Sequence, residues 1–126
     1  MKNAQLFLLF LCFTISLGAF AQSTPVGNWK AEVRTEDGAF VVIKASLSKD
    51  GNYIVDMGGD GIIDINGKYQ AKDGKLIIQD KSGPGACSGK GIYKLEMSAN
   101  TMEMILISDE CKGRAGPEGV IKFTRI

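Results

Sequence analysis

From residue 26 onward, apolar and polar side chains alternate in short runs, and turn residues interrupt them at regular intervals. The runs predict strands near 26–34, 39–48, 52–57, 61–70, 75–80, 89–97, 101–108 and 119–126. Breaks fall at Glu36-Asp37-Gly38, Lys49-Asp50-Gly51, Gly58-Gly59-Asp60-Gly61, Lys72-Asp73-Gly74 and Ser98-Ala99-Asn100. Asp-Gly between β-branched runs is a hairpin signal, because glycine takes a positive φ without steric cost. No stretch of this region sustains apolar spacing of three to four residues, so no helix of any length is expected there.

The alternation sorts side chains onto two faces. One face collects Trp29, Ala31 and Val33, then Val41, Ile43, Ala45 and Leu47. It continues through Ile63, Ile65 and Tyr69, Leu76 and Ile78, and Tyr93, Leu95 and Met97, and ends with Ile121, Phe123 and Arg125. The other face carries Lys30, Glu32, Lys44, Asp64, Lys75, Gln79, Lys94, Glu96 and Lys122. Segment 101–108 is the exception, with Met102, Met104 and Leu106 on one face and Ile105 and Ile107 on the other.

Arg125 falls in phase with the inward residues, near the end of the last strand, and Trp29 lies on the first. A guanidinium stacked on the indole would join the two. The expected fold is therefore all-β: a small eight-stranded antiparallel up-and-down barrel that closes on itself and removes its own sheet edges, without a C-terminal helix.

The first residues read differently. Lys2, an apolar run from Leu6 to Leu17, and Ala19-Phe20-Ala21 form the basic, hydrophobic and cleavage regions of a secretory signal peptide. Cleavage is expected after Ala21, dividing the chain into a signal peptide (1–21) and one barrel domain (22–126). Cys12 follows a leucine within the apolar run, which does not fit a lipoprotein signal. Removal of Lys2 leaves equal numbers of basic and acidic residues. Without a sustained basic patch, neither nucleic acid nor an anionic membrane is an expected partner. Export to the periplasm or beyond is the expected localisation.

Two cysteines remain after cleavage, Cys87 and Cys111. Each lies 12 residues from Ala99. If Ser98-Ala99-Asn100 is a three-residue hairpin loop with Asn100 left-handed and Met97 opposite Thr101, the cysteines face each other across that hairpin. In an exported chain such a pair reads as a disulfide. The crosslink contributes about 3–4 kcal/mol in the chain-entropy model.

The chain has no histidine, which removes the commonest general base and zinc ligand. No nucleophile–base constellation replaces it, and most acids fall on outward positions or in turns, so no catalysis and no cofactor are expected. Asp56, Asp60 and Asp64 approach the spacing of a calcium loop, but Gly58 and Gly67 stand where that loop needs ligands. An aspartate-rich hairpin turn is the alternative. The glycine-rich stretch from Ser82 to Gly91 lacks the ending of a phosphate loop. It reads as a loop stapled at Cys87, forming one barrel rim together with 109–119. Arg114 is either a solvated loop charge or a structural partner of Asp109 or of rim carbonyls.

On these residues the chain resembles the lipocalin-like (calycin) barrels, in particular small exported bacterial domains of that type. Gly27-Asn28-Trp29 matches the Gly-x-Trp of their first strand, and Arg125 their terminal-strand arginine. Gly67-Lys68-Tyr69, Gly85-Ala86-Cys87, Gly91-Ile92-Tyr93 and the run from Asp109 to Arg114 look like a pattern recurring in such domains. The resemblance implies a container whose Trp29 end is plugged. Fold likeness alone does not fix what is contained.

Two functions remain open. The first is binding of a small apolar ligand, with Trp29, Ile43, Tyr53, Ile65, Tyr69, Ile78, Tyr93, Met104 and Phe123 as candidate contacts. Gly27, Trp29 and Arg125 are then structural. These aromatic residues, with Phe40, are also candidates for simple barrel filling, and a filled interior would leave no room for a guest. The second is a solid barrel that acts as a protein-interaction or envelope structural module, inhibitor-like, with an envelope protein as partner and an exposed apolar patch expected at Ile105 and Ile107.

Overall fold

A computed structural model describes residues 24–126; the expected signal peptide and its cleavage site lie outside the described residues. Eight strands follow one another: β1 (Gly27–Arg34), β2 (Phe40–Leu47), β3 (Asn52–Met57), β4 (Ile65–Lys72), β5 (Lys75–Ser82), β6 (Lys90–Met97), β7 (Thr101–Asp109) and β8 (Val120–Arg125). Each pairs antiparallel with the next, and β1 pairs with β8, so the barrel closes in chain order. Trp29 stands opposite Arg125 in the closing register. Among the described residues no helix is long and apolar enough to cross a membrane.

The two ends differ in their connections. Short turns at 48–51, 73–74 and 98–100 close one end, and longer loops at 35–39, 58–64, 83–89 and 110–119 ring the other. Asp73 and Gly74, both at positive φ, form the two-residue turn between Lys72 and Lys75.

The inward phase forms the core. Trp29, Tyr93, Leu76 and Met102 are its largest fully enclosed side chains. Burying an apolar side chain of this size contributes about 1.5–3 kcal/mol. At the closed end the Trp29 indole donates to the Pro25 carbonyl at 2.8 Å. The Arg125 guanidinium lies 4.2 Å from the centre of the indole ring. It donates to the carbonyls of Val26 (2.9 Å), Ala99 (3.1 Å) and Thr24 (3.3 Å), tying the first residues and the β6–β7 turn to the last strand. Gly27 has a structural reason to be glycine: a Cβ there would collide with Arg125 Nη1.

Four local expectations need correction. The fourth strand begins at Ile65, not 61, because the aspartate-rich turn extends through Asp64; Ile63 lies in that loop and is exposed. Met97 pairs with Met102 rather than Thr101, and Asn100 is not left-handed; among non-glycine described residues only Asp73 has positive φ. Phe40 points outward at the rim, beneath Arg34 (5.0 Å), and fills no core. Leu106 and Ile107 form the exposed pair on β7, whereas Ile105 is half-buried. A bulge at Ile107, with Tyr93 opposite Leu106 and Ile92 opposite Ser108, interrupts the alternation at this exposed pair.

Candidate functional site

The barrel is not filled. A cavity of about 340 Å³ lies inside it, on the order of ten water volumes. Leu47 and Met102 line it toward the closed end, and Met57 and Lys112 at the opposite rim. The middle of its wall is apolar, with Ala45, Val55, Leu76 and Ile121 among its members. Of the nine candidate contacts, Ile43, Tyr53, Ile65, Ile78, Tyr93, Met104 and Phe123 stand in this wall. Trp29 and Tyr69 do not. Trp29 belongs to the plug, and the Tyr69 hydroxyl is drawn to the Ser48 carbonyl in the β2–β3 turn at the closed end. The trajectories of their strands place these rings below the cavity rather than around it.

Toward the open end the wall becomes polar in an ordered way. Two units of the same design meet there. In the first, the Tyr53 ring crosses Gly67 on the neighbouring strand and its hydroxyl donates to Asp80 on β5. The other oxygen of Asp80 accepts the backbone N–H of Cys87 at 2.9 Å. In the second, the Tyr93 hydroxyl donates to Asp109, whose other oxygen accepts the N–H of Cys111 at 2.7 Å. Gly91 gives the room here: a Cβ would press on Asp109, Tyr93 and Arg114 together. The Cys87–Cys111 disulfide, with Cα atoms 6.2 Å apart, joins the two units. Burial, reinforced by the bonds to Asp80 and Asp109, pushes the Tyr53 and Tyr93 phenols well above their ordinary value. Both remain protonated donors throughout the physiological range.

Arg114 binds the two units from above. Its Nη2 donates to the carbonyls of Cys87 (2.7 Å) and Gly89 (2.8 Å). Its guanidinium stands 3.4 Å from Asp109 and 3.8 Å from Asp80. Of the two sequence readings for Arg114, the structural partner of Asp109 and of rim carbonyls is the one found. With 14% of its side chain exposed, it is no solvated loop charge. Its Nε and Nη1 are sealed from solvent and make no hydrogen bond.

Asp80 was absent from the sequence-based candidates, and Asp109 stood there only as an alternative partner of Arg114, with no place in the cavity wall. Asp80 continues the inward phase of Leu76 and Ile78 on β5, so its direction was available from alternation. Asp109 was not: strict alternation from Met102 and Met104 turns it outward, and the bulge at Ile107 returns it to the interior.

The acidic cluster at the adjacent 58–64 loop, which accepts the Gly85 N–H at the Asp64 carbonyl (3.0 Å), has another task. Ligand oxygens of Asp56, Asp60 and Asp64 lie within 4.8 Å of one another. Each accepts backbone N–H groups of its own loop: Asp56 from Asp60 (3.2 Å) and Gly61 (2.8 Å), Asp60 from Ile62 (2.9 Å), and Asp64 from Met57 (2.7 Å). The bond from Gly61 holds the Asp56 carboxyl below its usual range. Turn building accounts for the spacing that resembles a calcium loop.

Compared with protein-family models, curated proteins and solved structures, the chain matches none. The fold and the site therefore stand on their own geometry: an eight-stranded antiparallel barrel of calycin-like form, a disulfide, and an apolar cavity with one polar pole.

Proposed function

We propose that this chain is an exported lipocalin-like protein that binds a small apolar molecule inside its barrel and performs no catalysis. The observation that carries this reading is the cavity of about 340 Å³, apolar over most of its wall and sealed beneath by the Trp29–Arg125 plug. That volume is near the lower end for ligand pockets and suits a guest of about ten to twenty non-hydrogen atoms. Affinity comes from apolar burial, on the order of 25 cal/mol for each Å² removed from water. Met102 and Met104 add a wall that repacks around differently shaped guests. The disulfide supports export, since such bonds persist in oxidising compartments.

Native mass spectrometry of protein purified from its own host tests the proposal. The expected result is an added small mass on the wild type that is reduced in Ala45→Phe, whose ring intrudes on the cavity. Recovery of bare protein that also takes up no apolar probe overturns it. One observation favours a second reading, recognition of an envelope protein. Leu106 and Ile107, 42% and 52% exposed, form a small apolar pair on the outer wall. The same spectra would then show a retained polypeptide.

A further inference from the structure

The polar pole of the cavity contains an arginine, yet its charge is already answered. Asp80 and Asp109 have only 5% and 3% of their side chains exposed, and both face the single guanidinium of Arg114. The donors that satisfy them otherwise are neutral: the hydroxyls of Tyr53 and Tyr93 and two backbone N–H groups. The enclosed group of Asp80, Asp109 and Arg114 thus holds one more negative than positive charge. Lys112, the other cation of the wall, is exposed at the mouth, where water and salt screen it. Nor is Arg114 available as an anion hook. Nη2 is engaged by carbonyls, and Nε and Nη1 have no accessible surface through which a guest could reach them.

From this geometry we infer that the cavity selects uncharged apolar ligands and rejects anionic ones, with Asp80 in the wall enforcing the discrimination and Asp109, in contact with Tyr93 and Arg114, adding its charge. This rests on the reading of the cavity as a ligand site. An anionic head group entering the pole meets a surplus carboxylate in a poorly hydrated environment, where charge–charge repulsion is much stronger than in water. A neutral head group meets no such penalty. Long-chain carboxylates are disfavoured twice, by charge and by the modest volume.

Three fluorescent probes on one skeleton separate charge from shape: N-phenyl-1-naphthylamine, its 8-sulfonate and the uncharged 8-sulfonamide. Equilibrium titration of the wild-type protein is expected to give similar affinities for the parent and the sulfonamide, and at least about tenfold weaker binding of the sulfonate. Asp80→Asn keeps an acceptor for Tyr53 and removes the surplus charge, so it should narrow the sulfonate gap to within about threefold. Ala45→Phe should weaken binding of all three probes, because its ring intrudes on the cavity.

Equal or tighter binding of the sulfonate, weakened in Ala45→Phe, overturns the inference and leaves the apolar cavity standing. Rejection of sulfonate and sulfonamide alike overturns it too, since shape then decides. If none of the three binds, the ligand-site reading falls and takes this inference with it. The comparison of sulfonate with sulfonamide uses only wild-type protein, so it does not depend on the folding of a variant.

Discussion

At the closed end Arg125 lies over the Trp29 ring and donates to three backbone carbonyls, with no carboxylate among those partners. At the open end Arg114 also donates to backbone carbonyls but stands between Asp80 and Asp109. The difference follows from what each end surrounds. Arg125 caps a packed aromatic core from a position that keeps contact with water, so its charge needs no counter-ion. Arg114 borders a cavity with 14% of its side chain exposed, and an enclosed charge is tolerated only when paired and hydrogen-bonded. One end is a plug built for stability. The other is a frame that keeps an opening in shape.

The largest expected effect separates the plug from the frame. Trp29→Ala should destabilise the protein by about 3–5 kcal/mol, the usual cost of emptying a fully buried tryptophan site. Denaturant unfolding measures this, and probe affinity of the protein that remains folded should change little. Replacing both cysteines by alanine comes next, with a loss of about 3 kcal/mol if the chain-entropy account holds. Here the effect should reach the site, because the N–H groups of Cys87 and Cys111 are bound to Asp80 and Asp109. Faster dissociation of a neutral probe in stopped-flow measurements would show it. If the two variants affect stability and binding in the same proportion, the division between plug and frame is wrong.

Gly67→Ala sharpens the comparison from within the frame. The new Cβ would collide with the Tyr53 ring, and overpacking of this kind costs about 1–3 kcal/mol. Unlike Trp29→Ala, this change should reduce probe affinity as well as stability, because Tyr53 is part of the cavity wall. The smallest effect at neutral pH is that of tyrosine ionisation, which grows only with alkalinity. Burial raises the folded-state pKa of Tyr53, Tyr69 and Tyr93 above the ordinary value of 10.0. The unfolded chain therefore loses these protons first. Stability present below pH 10 declines as pH rises through the range between the unfolded and folded pKa values. Tyrosinate absorbance should appear together with unfolding rather than before it.

Much of the plug was legible in the sequence because it depends on phase and turns alone. Arg125 in register with Ile121 and Phe123 was enough to bring it to Trp29. The frame was only partly legible. The cysteine pair emerged from counting about Ala99, although the hairpin register differs by one residue and then shifts at the bulge. The cysteines lie beyond the strand ends, in loops where strict pairing no longer applies. Asp109 was readable as a rim partner of Arg114 but not as an inward residue, since a bulge reverses side-chain direction without leaving a mark in the alternation. The cavity itself was beyond reach: whether seven inward side chains meet across a barrel depends on its radius and on which rings sit below them, and strand periodicity reports neither.

The most direct test of the central claim is a crystal structure of the protein with N-phenyl-1-naphthylamine bound. The account predicts the probe inside the barrel, against Ile43, Leu76 and Met104, above an undisturbed Trp29–Arg125 plug. A probe seated on the outer wall at Leu106 and Ile107, with the interior unoccupied, would contradict it.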